Sequence, residues 1–376
     1  MSLKAIATAL GVSVTTVSRA LGGYADVSAS TRARVEAEAR RRGYRPNTQA
    51  RRLKTGKTDA VGLVYPGRDV PFNSGVFMDM VSCISRELAH HDIDLLLIAD
   101  DEHADCHSYM RLVESRRVDA LIIAHTLDDD PRITHLHKAG IPFLALGRVP
   151  SGLPCAWFDF DNHAGTGQAT QKLIALGHKR IALLSEDTSH SYVVARRQGW
   201  LDALNEHELE DTWLRLVSPT RRAGYQAVME LMSLPIPPTA IITDNDLSGD
   251  GAAMALQLSG RLSGKDAVSL VVYDGLPQDS IIELDVAAVI QSTRSLVGRQ
   301  ISEMIYQIIT DSSSKPLQVV WNPVFYPGKT ISFSFLLIFY PGHISETFWL
   351  IPETFRINSK ASLRKENVLW FQSTAD

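Results

Sequence analysis

From Ala60 onward the sequence repeats one alternation: a short, continuous apolar run, then an amphipathic stretch of helical period. The runs are AVGLVY (60–65), IDLLLIA (93–99), ALIIA (120–124), PFLALG (142–147), RIALLS (180–185), AIITD (240–244), AVSLVVYD (267–274) and AAVIQ (287–291). Helices are expected near 76–90, 106–117, 131–139, 162–176, 194–206, 222–233, 248–260 and 295–310. A strand that is apolar at successive residues must be covered on both faces, as happens when helices flank a parallel sheet. The pattern therefore predicts an α/β body of doubly wound parallel sheets. A break near 150–162 divides this body into two lobes, roughly 59–160 and 161–290, with the chain crossing back near 290–330. Ligands of such sheets bind outside the carboxyl ends of the strands, and domain interfaces are favoured sites. A cleft between the lobes is thus the expected ligand site.

The first 57 residues are different in kind. They carry 12 Lys and Arg against 3 Asp and Glu, a charge of +9; since the whole chain is −4, the other 319 residues carry −13. A basic head on an acidic body points to a polyanion partner for the head alone. Leu3, Ile6, Ala7 and Leu10 fall at helical spacing, Gly11 can stop that helix, and Ser13 can cap the next. Val17, Ala20 and Leu21 of the second helix point inward, while Val14, Thr15, Ser18 and Arg19 share its other side. Ser28 caps a third helix with Val35 and Ala39 inside. Two short helices joined by a Gly turn match the helix-turn-helix, whose second helix enters the major groove of double-stranded DNA. There a small apolar group can touch a thymine methyl, Ser and Thr can bond base edges or phosphate, and Arg can pair with guanine.

In the stretch YRPNTQARRLK (44–54), Pro46 interrupts the third helix and Asn47 can cap a new one of about two turns. So short a helix is marginal alone and should form only with a partner. Leu53 among Arg51, Arg52 and Lys54 suits insertion into a minor groove; the same composition also fits a basic, unstructured linker. Three widely spaced cysteines, Cys83, Cys106 and Cys155, argue against a disulfide framework or a zinc site and fit a reducing cytoplasm. There is no signal-peptide pattern and no apolar run long enough to span a membrane.

GVSVTTVSRAL, followed by VSASTRARVEAEARRRGYRPNTQARRLKTGKT, resembles the DNA-binding head and hinge of the LacI/GalR family of bacterial repressors. The resemblance implies that Val14, Thr15, Thr16, Ser18 and Arg19 read bases or phosphates. It also implies that Tyr44, Asn47, Ala50 and Leu53 carry hinge contacts, with Leu53 intercalating. The family's body is similar to periplasmic sugar-binding proteins, and several stretches here match it: FDFDN (158–162), LIALGHKRIALLS, RRQGW (196–200), DND (244–246) followed by Gly251, and Tyr273-Asp274. By that resemblance Arg196 contacts the ligand, joined by Asn245 and Asp274, with Gln291 ending the next strand. Sugars expose hydroxyls that both donate and accept; Asp accepts from them, Arg donates in a fork and Asn does both. Trp200 or Phe72 can stack on a sugar's C–H face. Asn73 and Asp100 are further candidates on the first lobe, or simply make loop bonds. Arg196 could instead form an interlobe salt bridge, Asn245 a turn, and Asp274 a helix cap. Asp128-Asp129-Asp130 reads as a solvated cap for the helix after Pro131 rather than a metal site.

The expected organisation is a helix-turn-helix head (1–46), a hinge (47–58), a body (59–330) and an atypical, loosely ordered C-terminal extension (331–376) that resembles nothing in the family. The apolar stripe of helix 76–90 is either core or, as in the family, part of a dimer interface. Two GKT triplets, at 56–58 and 328–330, lack the Gly five residues upstream that a phosphate loop needs, those positions being Arg51 and Pro323. No catalytic motif and no cofactor is expected. The resemblance, nearest to regulators of raffinose and other α-galactoside operons, implies a cytoplasmic homodimeric repressor. It would bind operator DNA and be released by a sugar inducer in the cleft. A different effector acting as co-repressor is the alternative, and a sugar-binding enzyme a remote one.

Overall fold

A computed structural model describes residues 2–44, 56–67, 75–100, 108–149, 152–264, 266–311, 315–336 and 351–352. The chain divides into two compact units, Met1–Asp59 and Ala60–Asp376.

The head holds three helices, α1 (Leu3–Leu10), α2 (Val14–Leu21) and α3 (Ala29–Arg41). Their ends are set by local chemistry. Gly11 turns left-handed (φ 64°), and its N–H closes α1 onto the carbonyls of Ala7 and Thr8. The hydroxyls of Ser13 and Ser28 accept from the N–H groups of Thr16 (2.9 Å) and Thr31 (3.3 Å), capping α2 and α3. Ile6, Ala7, Val17, Ala20, Val27, Val35 and Ala39 form the head's core.

The body contains two six-stranded sheets. The first has the order β11-β5-β4-β3-β1-β2, with β1 Ala60–Pro66, β2 Asp94–Asp100, β3 Ala120–Ile123, β4 Phe143–Leu146, β5 Ala156–Phe160 and β11 Gln318–Trp321. All its pairings are parallel. The second has the order β12-β10-β9-β8-β6-β7, with β6 Ile181–Glu186, β7 Leu214–Val217, β8 Ala240–Thr243, β9 Ser269–Tyr273, β10 Ala287–Ile290 and β12 Val324–Tyr326. It is parallel except where β12 closes it antiparallel. Helices α4 (Gly75–Ala89), α5 (Ser108–Glu114) and α6 (Pro131–Lys138) connect the strands of the first sheet. Helix α7 (Asn162–Ala175) leads from β5 into β6 of the second sheet, whose strands are then linked by α8 (Ser191–Glu206), α9 (Arg221–Met232) and α10 (Asp246–Leu258).

The eight apolar runs are all strands. Of the strands they miss, β5 alternates buried with partly exposed residues, while β7, β11 and β12 lie at sheet edges and hold only partly buried and exposed ones, so no continuous apolar run marks them. The return expected near 290–330 is two separate passages. After Ile290 the chain re-enters the first lobe as α11 (Arg294–Thr310), whose Val297, Ile301, Met304 and Ile305 join that lobe's core. It forms β11, then crosses once more to place β12 in the second sheet. The stripe of α4 is core: Phe77, Val81, Ile84 and Leu88 are buried against α11 and the first sheet.

Two further expectations change. Asp130 caps α6 as foreseen, accepting from the N–H of Arg132, but it is buried and ion-paired with Arg132 at 2.6 Å rather than solvated. Beyond residue 330 the chain does not loosen at once. Ile331 packs on the second lobe's core, the Ser332 carbonyl accepts from His178, and the Ser334 N–H donates to the Leu176 carbonyl. A short antiparallel pair, β13 (Phe335–Leu336) with β14 (Ile351–Pro352), follows; the rest of the extension lies outside the described residues. Thr330 of the second GKT triplet is a sheet fastener, donating to the Leu270 carbonyl and accepting from the Ala287 N–H.

Candidate functional site

The carboxyl ends of both sheets converge on one cleft of about 1030 Å³, its open mouth included. The two walls differ. The first lobe supplies mainly apolar groups, among them Phe77, Met80, Leu146, Phe158 and Phe160. The second supplies polar ones at strand ends and on α8: Asn162, Glu186, Tyr192, Arg196, Asn245, Asp246 and Asp274.

Arg196 is the centre of the polar wall. It is buried on α8, its Nε donates to Asn162 Oδ1 at 2.9 Å, and its Nη1 donates to the Asp244 carbonyl. Its guanidinium lies 3.5 Å from the Tyr273 ring centre and 5.0 Å from that of Tyr192. Tyr273 also donates to Asn162 Oδ1, at 3.2 Å. The fork is thus largely spent on holding the wall together, and among the described residues Arg196 makes no interlobe salt bridge.

Carboxyl groups crowd around this cation, and burial raises their pKa values. Glu186 is pushed up to about 7, by burial first and by Asp244 second. Asp159, on the first lobe, is raised to about 6 by burial, with Arg148 opposing. Asp244, Asp246 and Asp274 are also raised, again chiefly by burial. At about 7, Glu186 is in part protonated near neutrality, and a protonated carboxyl both donates and accepts, as a hydroxyl does. One oxygen each of Asp246 (Oδ2) and Asp274 (Oδ1) is buried without a hydrogen-bond partner among the described residues. Asp274 also sits at φ 67°, a conformation sparsely used outside Gly.

Arg196, Asn245, Asp274 and Gln291 all line the cleft. Asn245 is less free than expected: its Oδ1 caps α10 by accepting from Ser248 (2.8 Å), and its Nδ2 donates to Asp244 (2.9 Å). Two candidates do not reach the cleft. Trp200 is 1% exposed within the second lobe's core, one turn beyond Arg196, so it cannot stack on a ligand there. Asp100 ends the edge strand β2, where its carboxylate accepts from the Ser108 N–H at the start of α5. Phe72 and Asn73 lie outside the described residues. Sequence reasoning passed over Asp159, Asn162, Glu186, Tyr192, Asp246, His125 and Arg294. His125, Glu186 and Asp246 closely follow apolar runs, which is the signal that could have found them. Asp159 and Asn162 lie at the end of β5, which no such run marks, Tyr192 is on α8, and Arg294 has no signal, since only the second lobe crossing brings it to the cleft.

On the head, Val14 (44% exposed), Thr15 and Ser18 face solvent from α2. Thr16 is half-buried, its hydroxyl 2.8 Å from that of Ser13, so it serves the cap. Arg19 is anchored by Asp26 at 2.6 Å and by the Tyr24 ring at 5.2 Å. Tyr44, expected in the hinge, packs half-buried on the head's core, and its N–H closes α3 onto the Ala39 carbonyl. Asn47, Ala50 and Leu53 lie outside the described residues.

A helix-turn-helix head joined to two doubly wound lobes around a cleft defines a ligand-responsive transcription regulator. The pattern described as bacterial regulatory proteins of the lacI family matches residues 2–47, and that of periplasmic binding proteins and the sugar binding domain of the LacI family matches 58–330. The chain belongs to the LacI family of transcriptional regulators. It is 88% identical over 331 residues to the HTH-type transcriptional regulator RafR of Escherichia coli, a match covering 88% of this chain and 98% of that protein. Among solved structures, a transcriptional regulator from Yersinia pestis biovar Microtus str. 91001 is 46% identical with a TM-score of 0.70, covering 73% of this chain and 99% of that one. The lac repressor dimer bound to operator and the anti-inducer ONPF is 26% identical with a TM-score of 0.73, covering 88% and 98%. Among the described residues no helix is long and apolar enough to cross a membrane, and no group of three His, Cys, Asp or Glu is placed to hold a metal ion.

Proposed function

We propose that this protein is a cytoplasmic, homodimeric repressor of a sugar-utilisation operon, with raffinose or a related α-galactoside as inducer. The observation that carries the sugar reading is the contrast between the walls of the cleft. A pyranose has an apolar C–H face and a rim of hydroxyls; the first lobe offers Phe77, Phe158 and Phe160, the second Glu186, Asp246 and Asp274. The excess of carboxyl groups disfavours a phosphorylated effector, and the Arg196 guanidinium is already committed to Asn162 and Asp244.

In this reading the head binds operator through the exposed face of α2, with Val14, Thr15, Ser18 and Arg19 at the bases or phosphates. Sugar bound against both walls changes how the lobes meet, and operator affinity falls. Operator must then weaken sugar binding by the same factor, roughly 5–150-fold for a coupling of about 1–3 kcal/mol. The protein binds its sugar without transforming it and without a cofactor.

The test is binding of an operator fragment by fluorescence anisotropy at fixed salt, with a sugar panel led by raffinose and melibiose. Release by one of these sugars is the expected result. Operator binding that no sugar alters would refute the inducer assignment, and tightening by a sugar would make it a co-repressor.

A further inference from the structure

His125 stands at the seam between the lobes. It lies two residues after β3, at φ 50°, and is one of the residues lining the cleft. Its carbonyl accepts from Arg132 Nη2 at 3.0 Å, and Arg132 is itself clamped by Asp130, so the backbone here is held firmly. The ring lies 5.1 Å from that of Phe77 on the first lobe, and 5.2 Å and 5.9 Å from those of His190 and Tyr192 on the second. The next two residues fasten the lobes together. Thr126 accepts from the Ser191 N–H at 2.8 Å and its hydroxyl meets that of Ser191 at 2.9 Å, while Leu127 forms an isolated β-bridge with His190.

Both ring nitrogens of His125 are shut off from solvent, and among the described residues neither Nδ1 nor Nε2 has a hydrogen-bonding partner. Burying such a group unpaired costs folding free energy, so a native chain that does so calls for an explanation. Backbone held in the left-handed region beside a cleft is a second departure of the kind that gathers at functional sites. A packing role needs neither: Phe or Leu would fill the same space without orphaned nitrogens.

We propose that His125 is an effector-contacting residue: its imidazole holds a hydroxyl of the bound sugar and ties occupancy of the cleft to the Thr126–Ser191 seam. This rests on the reading that the cleft binds a sugar. Burial and the neighbouring His190 hold the ring's pKa down to about 3, so it is neutral, with one nitrogen donating and the other accepting. A hydroxyl can satisfy either nitrogen. The neutral ring itself brings no positive charge to a phosphate or carboxylate, so its two nitrogens suit a neutral polyol better. Any shift of the ring on binding is passed along one peptide unit to the groups that join the lobes.

The experiment is calorimetric titration of full-length wild type, His125→Phe and His125→Gln with melibiose, raffinose and the monodeoxy analogues of melibiose. Phe keeps the ring contacts and loses the nitrogens; Gln keeps a donor and an acceptor. His125→Phe is expected to bind melibiose roughly 5- to 100-fold more weakly, with His125→Gln between it and wild type. One monodeoxy analogue should bind wild type with a comparable loss and should bind His125→Phe no worse than melibiose does. A merely structural role would not remove discrimination at a single hydroxyl. Unchanged melibiose affinity in His125→Phe, or no analogue whose discrimination disappears, overturns the role of His125. Failure of wild type to bind either sugar overturns the sugar reading itself, and with it this one. Should His125→Phe not fold, the imidazole ¹⁵N shifts of His125 in wild type, assigned against His125→Gln, must move on adding melibiose; unmoved shifts overturn the proposal.

Discussion

Glu186→Gln should make the body more stable in mild alkali and leave it unchanged at about pH 4. Glu186 ends β6 in a buried position, accepts from the Tyr192 hydroxyl at 3.1 Å, and lies beside Asp244, whose Oδ2 accepts the Glu186 N–H at 2.8 Å. Burial and the adjacent carboxyl raise it from 4.5 to about 7, against the pull of Arg196. A raised carboxyl binds its proton more tightly in the folded than in the unfolded state. Its contribution is therefore complete below the unfolded value and is lost as pH rises through about 7. At about 1.4 kcal/mol per pKa unit, the loss amounts to about 3 kcal/mol once the group is ionised. Gln imitates the protonated carboxyl in size and keeps an acceptor for Tyr192, but it cannot ionise. Urea unfolding followed by tryptophan fluorescence reports this lobe, since Trp200 and Trp213 are both in its core. The variant should exceed wild type by about 3 kcal/mol near pH 8.5, and the gap should fall to about 1 kcal/mol near pH 5 and close near pH 4. A gap equal at the highest and lowest of these pH values, or a variant less stable than wild type at the highest one, would refute the reasoning.

Gly199→Ala tests the close approach of α7 and α8: an added Cβ would lie 2.1 Å from the His163 carbonyl oxygen, so the helices must separate. Destabilisation of about 1–3 kcal/mol or more is expected, and an unchanged urea midpoint would disprove the tight contact. Asp274→Asn replaces a carboxyl of the cleft, one oxygen of which is buried without a partner among the described residues, by an amide and should abolish release by sugar while operator binding persists; retained induction would take Asp274 out of the site. Arg19→Ala should cost about 1–3 kcal/mol of discrimination between operator and random duplex in anisotropy titrations. Equal weakening on both duplexes would instead make Arg19 a phosphate contact, with a salt slope lower by about one.

The sequence by itself determined the elements and much of their order. Helix ends in the head follow from Gly11, Ser13 and Ser28, because capping is a matter of a few neighbouring residues. Most strands that carry the cleft are the continuous apolar runs, because a strand covered on both faces has no polar side to show; β5, which brings Phe158, Asp159 and Phe160, is the exception. Arg196, Asn245, Asp274 and Gln291 could be placed at the cleft because the family resemblance rests on local stretches, at strand ends and around Gly199, and all four line it. What tertiary structure alone decided is which of these ends meet. Asp100 and His125 both lie at the carboxyl ends of first-lobe strands, yet the order β3-β1-β2 sends Asp100 to the sheet's edge and His125 to the cleft. Arg196 and Trp200 lie one turn apart on α8, a helix with buried residues at both positions, so helical period could not say which faced the ligand. The partners of Arg196, Asn162 and Asp244, are 34 and 48 residues away and arrive from the start of α7 and the end of β8. Arg294 reaches the same cleft only because the chain re-enters the first lobe after β10. Local propensity fixes where an element starts and stops; which side chains it brings together depends on how sheets are ordered and how often the chain crosses between them, and nothing local encodes that.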